Sequence, residues 1–103
     1  MPQINIEEVA VMDTITVVLE GKIDIPKLQN SILIVCFSSG NKDYSVKVDS
    51  LGNFKFMHIA AGYYLVEIQN LTHNNVVTLN KNDKEIFLKS GGIYKALITC
   101  NKN

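Results

Sequence analysis

The chain has 103 residues, 47% of them apolar, with ten basic and ten acidic side chains and no net formal charge. That length makes one domain with a single core, and that composition excludes wholesale disorder. Neutrality removes any general pull toward nucleic acid or anionic lipid; every basic residue is a lysine, so no guanidinium fork can read guanine or clamp phosphate.

The start, Met1 to Glu8 (M-P-Q-I-N-I-E-E), is acidic where a signal peptide is basic and lacks its apolar centre. No apolar run approaches the ~20 residues of a membrane span. The expectation is a cytosolic protein, or a domain whose signal and anchor lie outside this segment. Residues 1–12 read as an arm of open structure and residues 13–103 as one β-sandwich domain. Strand signals then recur about every ten residues, with no sustained helical period. Thr14 to Glu20 is rich in β-branched residues and runs on through Gly21 to Pro26, where proline ends ladder pairing. Ser31 to Phe37 is apolar on both parities, which predicts a central strand covered on both sides. After the turn Ser38 to Asp43, Tyr44 to Val48 alternates, with Ser45 and Lys47 outward.

The segment Asp49 to Ile68 carries the strongest pattern. Phe54 and Phe56 make one apolar stripe, and Tyr64, Val66 and Ile68 a second. Gly52 fits a turn that needs positive φ, with Asp49 as its initiating side chain. The spacing predicts an adjacent antiparallel pair. Asn75 to Leu79, Glu85 to Leu88 and Ile93 to Cys100 complete the strands, the last two separated by Ser90-Gly91-Gly92. The expected fold is all-β, a two-sheet antiparallel sandwich of about seven or eight strands.

Asp49, Gly52, Phe54, Phe56, Ile59, Gly62, Tyr64, Val66 and Ile68 resemble the D-x-x-G-x-F-x-F-x-x-[IV]-x-x-G-x-Y-x-V-x-[IV] core of the prealbumin-like sandwiches. That superfamily includes carboxypeptidase regulatory-like domains and the Cna-B-type domains of surface proteins. A narrower resemblance, over residues 15–99, is to the lumenal sandwich of subunit seven of the endoplasmic reticulum (ER) membrane protein complex. It rests on G-K-I-D-I-P at Gly21 to Pro26, on Ala61 to Ile68 and on the glycine turn with its final strand, Gly91 to Thr99. The chain departs from that family in lacking the basic residues that the family tends to carry after its sixth strand. The resemblance implies an ER-lumenal, non-catalytic module of a membrane-protein insertase, docked on a larger subunit. The alternative it leaves open is an extracellular regulatory-like or adhesin-type sandwich with a structural or sugar-binding role.

Catalytic signatures are absent from the sequence. His58 falls between the two predicted central strands and His73 in a polar loop, with no G-x-S-x-G elbow and no H-E-x-x-H or C-x-x-C pair. The 5-hydroxyisourate hydrolases of the prealbumin-like fold resemble one another in a C-terminal Y-R-G-S that this arginine-free chain lacks. The Cna-B isopeptide bond implies an inward acid on the strand of Tyr64, whereas Glu67 has the outward parity. The expectation is no enzyme, no cofactor and no metal. For sugar, Tyr63 and Tyr94 are the aromatics left over, Tyr94 having core parity with Ala96 and Ile98.

The misfits suggest a protein partner instead. Met57, Tyr63 and Leu65 have outward parity near the turn end of the predicted pair, and form the candidate partner-binding cluster on an otherwise polar face. The bland reading is an edge covered by the N-terminal arm. Asn70-Leu71-Thr72 is a glycosylation sequon, making Asn70 a candidate acceptor. Cys36 and Cys100 are expected to be free core thiols.

Overall fold

Side-chain alternation builds two sheets. The computed structural model describes residues 2–40, 42–80 and 85–100. Its strands are β1 (Pro2–Val11), β2 (Thr16–Asp24), β3 (Leu33–Ser39), β4 (Lys42–Lys47), β5 (Asn53–Ala60), β6 (Gly62–Asn70), β7 (Asn75–Val77), β8 (Glu85–Leu88) and β9 (Gly92–Cys100). A four-stranded sheet has the order β1-β9-β2-β5. A five-stranded sheet has the order β4-β3-β6-β7, with β8 also paired to β6. The protein is an all-β sandwich, and the nine described strands exceed the expected seven or eight because the N-terminal segment is itself a strand. Its Ile4 and Ile6 lie opposite Ile98 and Ala96 of β9.

The pairing is antiparallel except between β2 and β9, which run parallel. The cause lies in the connection after β1. Met12 N–H donates to the Gly91 carbonyl, and Gly91 N–H donates to the Thr16 carbonyl (3.0 Å). The chain therefore arches over the start of β9, and β1 and β2 flank that strand instead of pairing with each other.

Both sheets bury one face in a common core. Phe37 of β3 meets Phe56 of β5 across the sheets, ring centroids 4.7 Å apart, and Tyr64 lies 5.9 Å from Phe37. Gly21 is required by close approach: it pairs with Phe54, whose ring lies over the position a Cβ would take. Gly52 is required by conformation, with φ +87°. There the Asp49 carboxylate accepts from the N–H groups of Leu51 (2.9 Å) and Asn53 (2.8 Å), so the expected aspartate–glycine turn is formed.

The predicted pair β5 and β6 is real as strands but wrong as a pair. β5 is an edge strand of one sheet and β6 a central strand of the other. The chain changes sheet at Ala60-Ala61-Gly62. Tyr64 Oη donates to the Ala60 carbonyl four residues back, and Tyr44 Oη accepts from Ala60 N–H (3.2 Å). This is the arrangement of a tyrosine corner, in which a phenol satisfies backbone that a sheet crossing leaves unpaired. Burial, helped by the neighbouring Tyr44, pushes the Tyr64 phenol above its usual pKa.

Candidate docking face

The sheet crossing splits the candidate cluster. Met57 is 54% exposed, but on the outer face of the four-stranded sheet. Tyr63 and Leu65, 65% and 58% exposed, lie on the outer face of the five-stranded sheet, on the opposite side of the sandwich. The single patch expected from residues 57, 63 and 65 is therefore corrected to two separate places. The physical reason is a bulge at the end of β5: Leu19 pairs with Phe56 and Val17 with Ile59, so Met57 and His58 together oppose Val18. His58 takes φ +54°, and its Nδ1 lies 3.0 Å from Thr16 Oγ1. It belongs to this bulge and not to a turn. His73 lies in the β6–β7 turn at the opposite end, so the two imidazoles do not converge.

The structure supplies Tyr63 and Leu65 with a neighbour the sequence reading missed. Phe87 of β8 pairs with Tyr63, and the two rings sit 4.7 Å apart at 45°. Phe87 is 53% exposed. Its partners in β8, Ile86 and Leu88, have the inward parity, and Leu88 is fully buried. A short strand apolar on both parities was the available signal.

Register lays out the rest of this face. Beside the Tyr63–Phe87 pair, Asp43, Ser38, Leu65 and Glu85 follow one another across β4, β3, β6 and β8. The next row is Ser45, Cys36 and Glu67, and the last is Lys47, Ile34, Gln69 and Val76. A groove of about 560 Å³ includes Cys36, Ser38, Asp43, Leu65, Glu67 and Val76 in its lining. β3 was expected to be covered on both sides; its inward Leu33, Val35 and Phe37 are buried, but outward Ile34 and Cys36 are only half-buried.

Cys36 is therefore not a core thiol. It carries a free thiol on this outer face, whereas Cys100 ends β9 in the other sheet and is exposed, and the two are not bridged. Burial first, then the carboxylates of Glu67 and Asp43, push the Cys36 thiol above its ordinary pKa. Asn70 also moves out of the functional reading. It is 3% exposed and its Oδ1 accepts from His73 N–H (3.1 Å), while Thr72 Oγ1 accepts from Ile32 N–H (2.8 Å). The sequon residues tie down the β6–β7 turn, and a glycan on Asn70 would have to open it. Tyr94 is buried as expected, its Oη accepting from Lys89 N–H (2.9 Å).

A second groove, of about 600 Å³, opens at the end of the sandwich between the β2–β3 and β4–β5 connections, over Ile25, Leu28, Leu33 and Val48. Lys22, Asp24, Lys47 and Asp49 line it with balanced charge, and Asp49 is engaged in its own turn. Among the described residues, no group of three His, Cys, Asp or Glu side chains is placed to hold a metal ion. No protein-family model matches the chain, and no curated protein matches it.

Proposed function

We infer that this domain is a non-catalytic protein-interaction module that docks through the outer face of its five-stranded sheet. The observation that carries the reading is the contiguous cluster of Tyr63, Leu65 and Phe87, each more than half exposed on paired strands. An apolar cluster ringed by polar groups is the anatomy of a binding surface.

Within that role, the reading is the lumenal sandwich of an ER membrane protein complex subunit, docked on a larger subunit of a membrane-protein insertase. Its support is the resemblance of Gly21 to Pro26, of the Asp49–Gly52 turn with its two phenylalanines, and of Ala61 to Ile68. Affinity capture of the tagged full-length protein from its own membranes, followed by mass spectrometry, tests it. Insertase subunits are expected with the wild type and are lost with Tyr63→Asp plus Leu65→Asp. Recovery of the protein outside the cell or in a wall fraction, without those subunits, discards the ER assignment.

The alternative is a surface-exposed carboxypeptidase regulatory-like or adhesin-type sandwich that binds sugar. It is favoured by one observation, the exposed ring surface of Tyr63 and Phe87. Glycan-array binding that is lost with Phe87→Ser but survives Leu65→Asp selects that reading.

A further inference from the structure

We propose that the occupant of this face is a basic, extended segment of a partner protein. One lysine or arginine lies against the Tyr63 and Phe87 rings beside the Glu85 carboxylate, further basic side chains of the segment reach Glu67 and Asp43, and an apolar side chain covers Leu65. The proposal rests on the docking reading and adds the chemistry of the partner.

Charge complementarity decides it. Leu65 has Glu85 beside it on β8 and Glu67 two residues on along β6, and Asp43 lies across Ser38 on β4. Side chains directly opposite on a sheet face stand about 5 Å apart, and diagonal ones about 7–8 Å. Glu85 and Glu67 thus flank Leu65, and Asp43 lies on the same face two strands away, about 10 Å off. Among the described residues, no lysine pairs with any of them; Glu67 accepts only from its neighbour Gln69 Nε2 (3.1 Å). Of the described lysines on β4, Lys42 has the opposite parity to Asp43, and Lys47 sits in the far row opposite Ile34. Elsewhere two of the three described glutamates are paired, Glu20 with Lys55 (3.2 Å) and Glu8 with Lys89 (3.0 Å).

The negative field is felt inside the face itself. The Cys36 thiol lies directly opposite Glu67 and diagonal to Asp43, and after burial those two charges push its pKa up. Aromatic faces and a carboxylate beside them favour one class of side chain, a cation that stacks on the rings and brings its charge to Glu85. The groove beside Leu65 gives the rest of an extended segment a place to lie. A nucleic acid or anionic lipid would meet the same carboxylates as repulsion.

A phage-displayed library of random peptides, selected on the intact chain, tests the inference without a known partner. Selected peptides are then synthesised and measured by fluorescence anisotropy on three proteins: wild type, Asp43→Asn/Glu67→Gln/Glu85→Gln, and Tyr63→Asp/Leu65→Asp. Enrichment of lysine or arginine next to an apolar residue is expected. Affinity should fall at least tenfold on the neutralised triple variant, and severalfold when salt rises from about 0.15 M to about 0.5 M. All five positions are solvent-facing, and thermal melts of each variant show that the fold is kept. A library yielding no sequence that depends on the three carboxylates overturns the inference. Peptides that need Leu65 but ignore the carboxylates and salt overturn the basic occupant and leave the docking reading standing. Peptides indifferent to both variants remove both.

Discussion

On the outer face of the four-stranded sheet, Glu7, Lys95, Glu20 and Lys55 follow one another across β1, β9, β2 and β5. Sign alternates at every step, and the last pair closes to 3.2 Å. On the five-stranded sheet the comparable row reads Asp43, Ser38, Leu65 and Glu85, with Tyr63 and Phe87 alongside. One face sets opposite charges in register and closes one ion pair, whereas the other carries three carboxylates that no described lysine pairs with, two of them beside Leu65. Cross-strand pairing is the unit of sheet stabilisation, and opposite charges in register help while like charges hurt. The first face balances its signs along the row, and the second is proposed to meet a basic segment of a partner. Both share one core, so their difference is not a difference in burial beneath them.

That shared core is where the comparison can be broken most completely. Tyr64 packs against Phe37 and caps the Ala60 carbonyl at the sheet crossing, so Tyr64→Ala removes both packing and a backbone partner. The expected loss is about 3–5 kcal/mol, with both faces disappearing in one transition by circular dichroism and amide exchange. Two separate transitions would show that the sheets are held independently. The conservative Tyr64→Phe keeps the ring and is expected to lose about 1 kcal/mol, the worth of the lost hydrogen bond.

The charge row of the four-stranded sheet is the next lever. Lys95→Glu places a third like charge between Glu7 and Glu20 and replaces two favourable cross-strand pairs with two unfavourable ones. A loss of about 1–2 kcal/mol is expected, shrinking in high salt, with partner binding unchanged. A variant that loses binding but not stability would place the docking surface on the wrong side of the sandwich. Lys55→Ala, which removes only one half-exposed member of the row, should cost less than about 1 kcal/mol.

Much of this architecture was legible in the sequence. Alternation alone gave Phe54, Phe56, Tyr64, Val66 and Ile68 as core, and the Asp49–Gly52 turn formed as read. What failed was the relation between β5 and β6. A strand pattern states which side of its own sheet a residue faces, not whether two successive strands share a sheet. The warning was local: inward Phe56 is followed by inward Ile59, three residues on instead of two, which marks the bulge, and the small Ala60-Ala61-Gly62 then makes the crossing. Tyr63 and Leu65 were recognised because their outward parity is intrinsic. Phe87, Asp43 and Glu85 were not, because they join the site only through the registers of β8 and β4, which no local pattern encodes. The same holds for β1 (Pro2–Val11), which depends on its pairing with the distant β9.

The smallest effect tests the electric asymmetry of the two faces with no partner present. Burial of Cys36 is set by β3 and its neighbours and survives a change of side-chain charge, whereas the contribution of Glu67 does not. In Glu67→Gln the thiol pKa should fall toward its ordinary value and stop above it, because burial and Asp43 still act. At a fixed pH below that pKa the thiolate fraction then rises, and alkylation of Cys36 by iodoacetamide, followed by peptide mass mapping, should speed up. Asp43→Asn should act in the same direction and by less, being the more weakly acting of the two charges. Glu20→Gln, an equal loss of charge on the other face, should leave the rate at Cys36 unchanged. An equal acceleration by Glu20→Gln would mean that net charge, and not a localised field, sets the thiol. No localised negative field would then mark this face, and a basic segment would have no reason to prefer it.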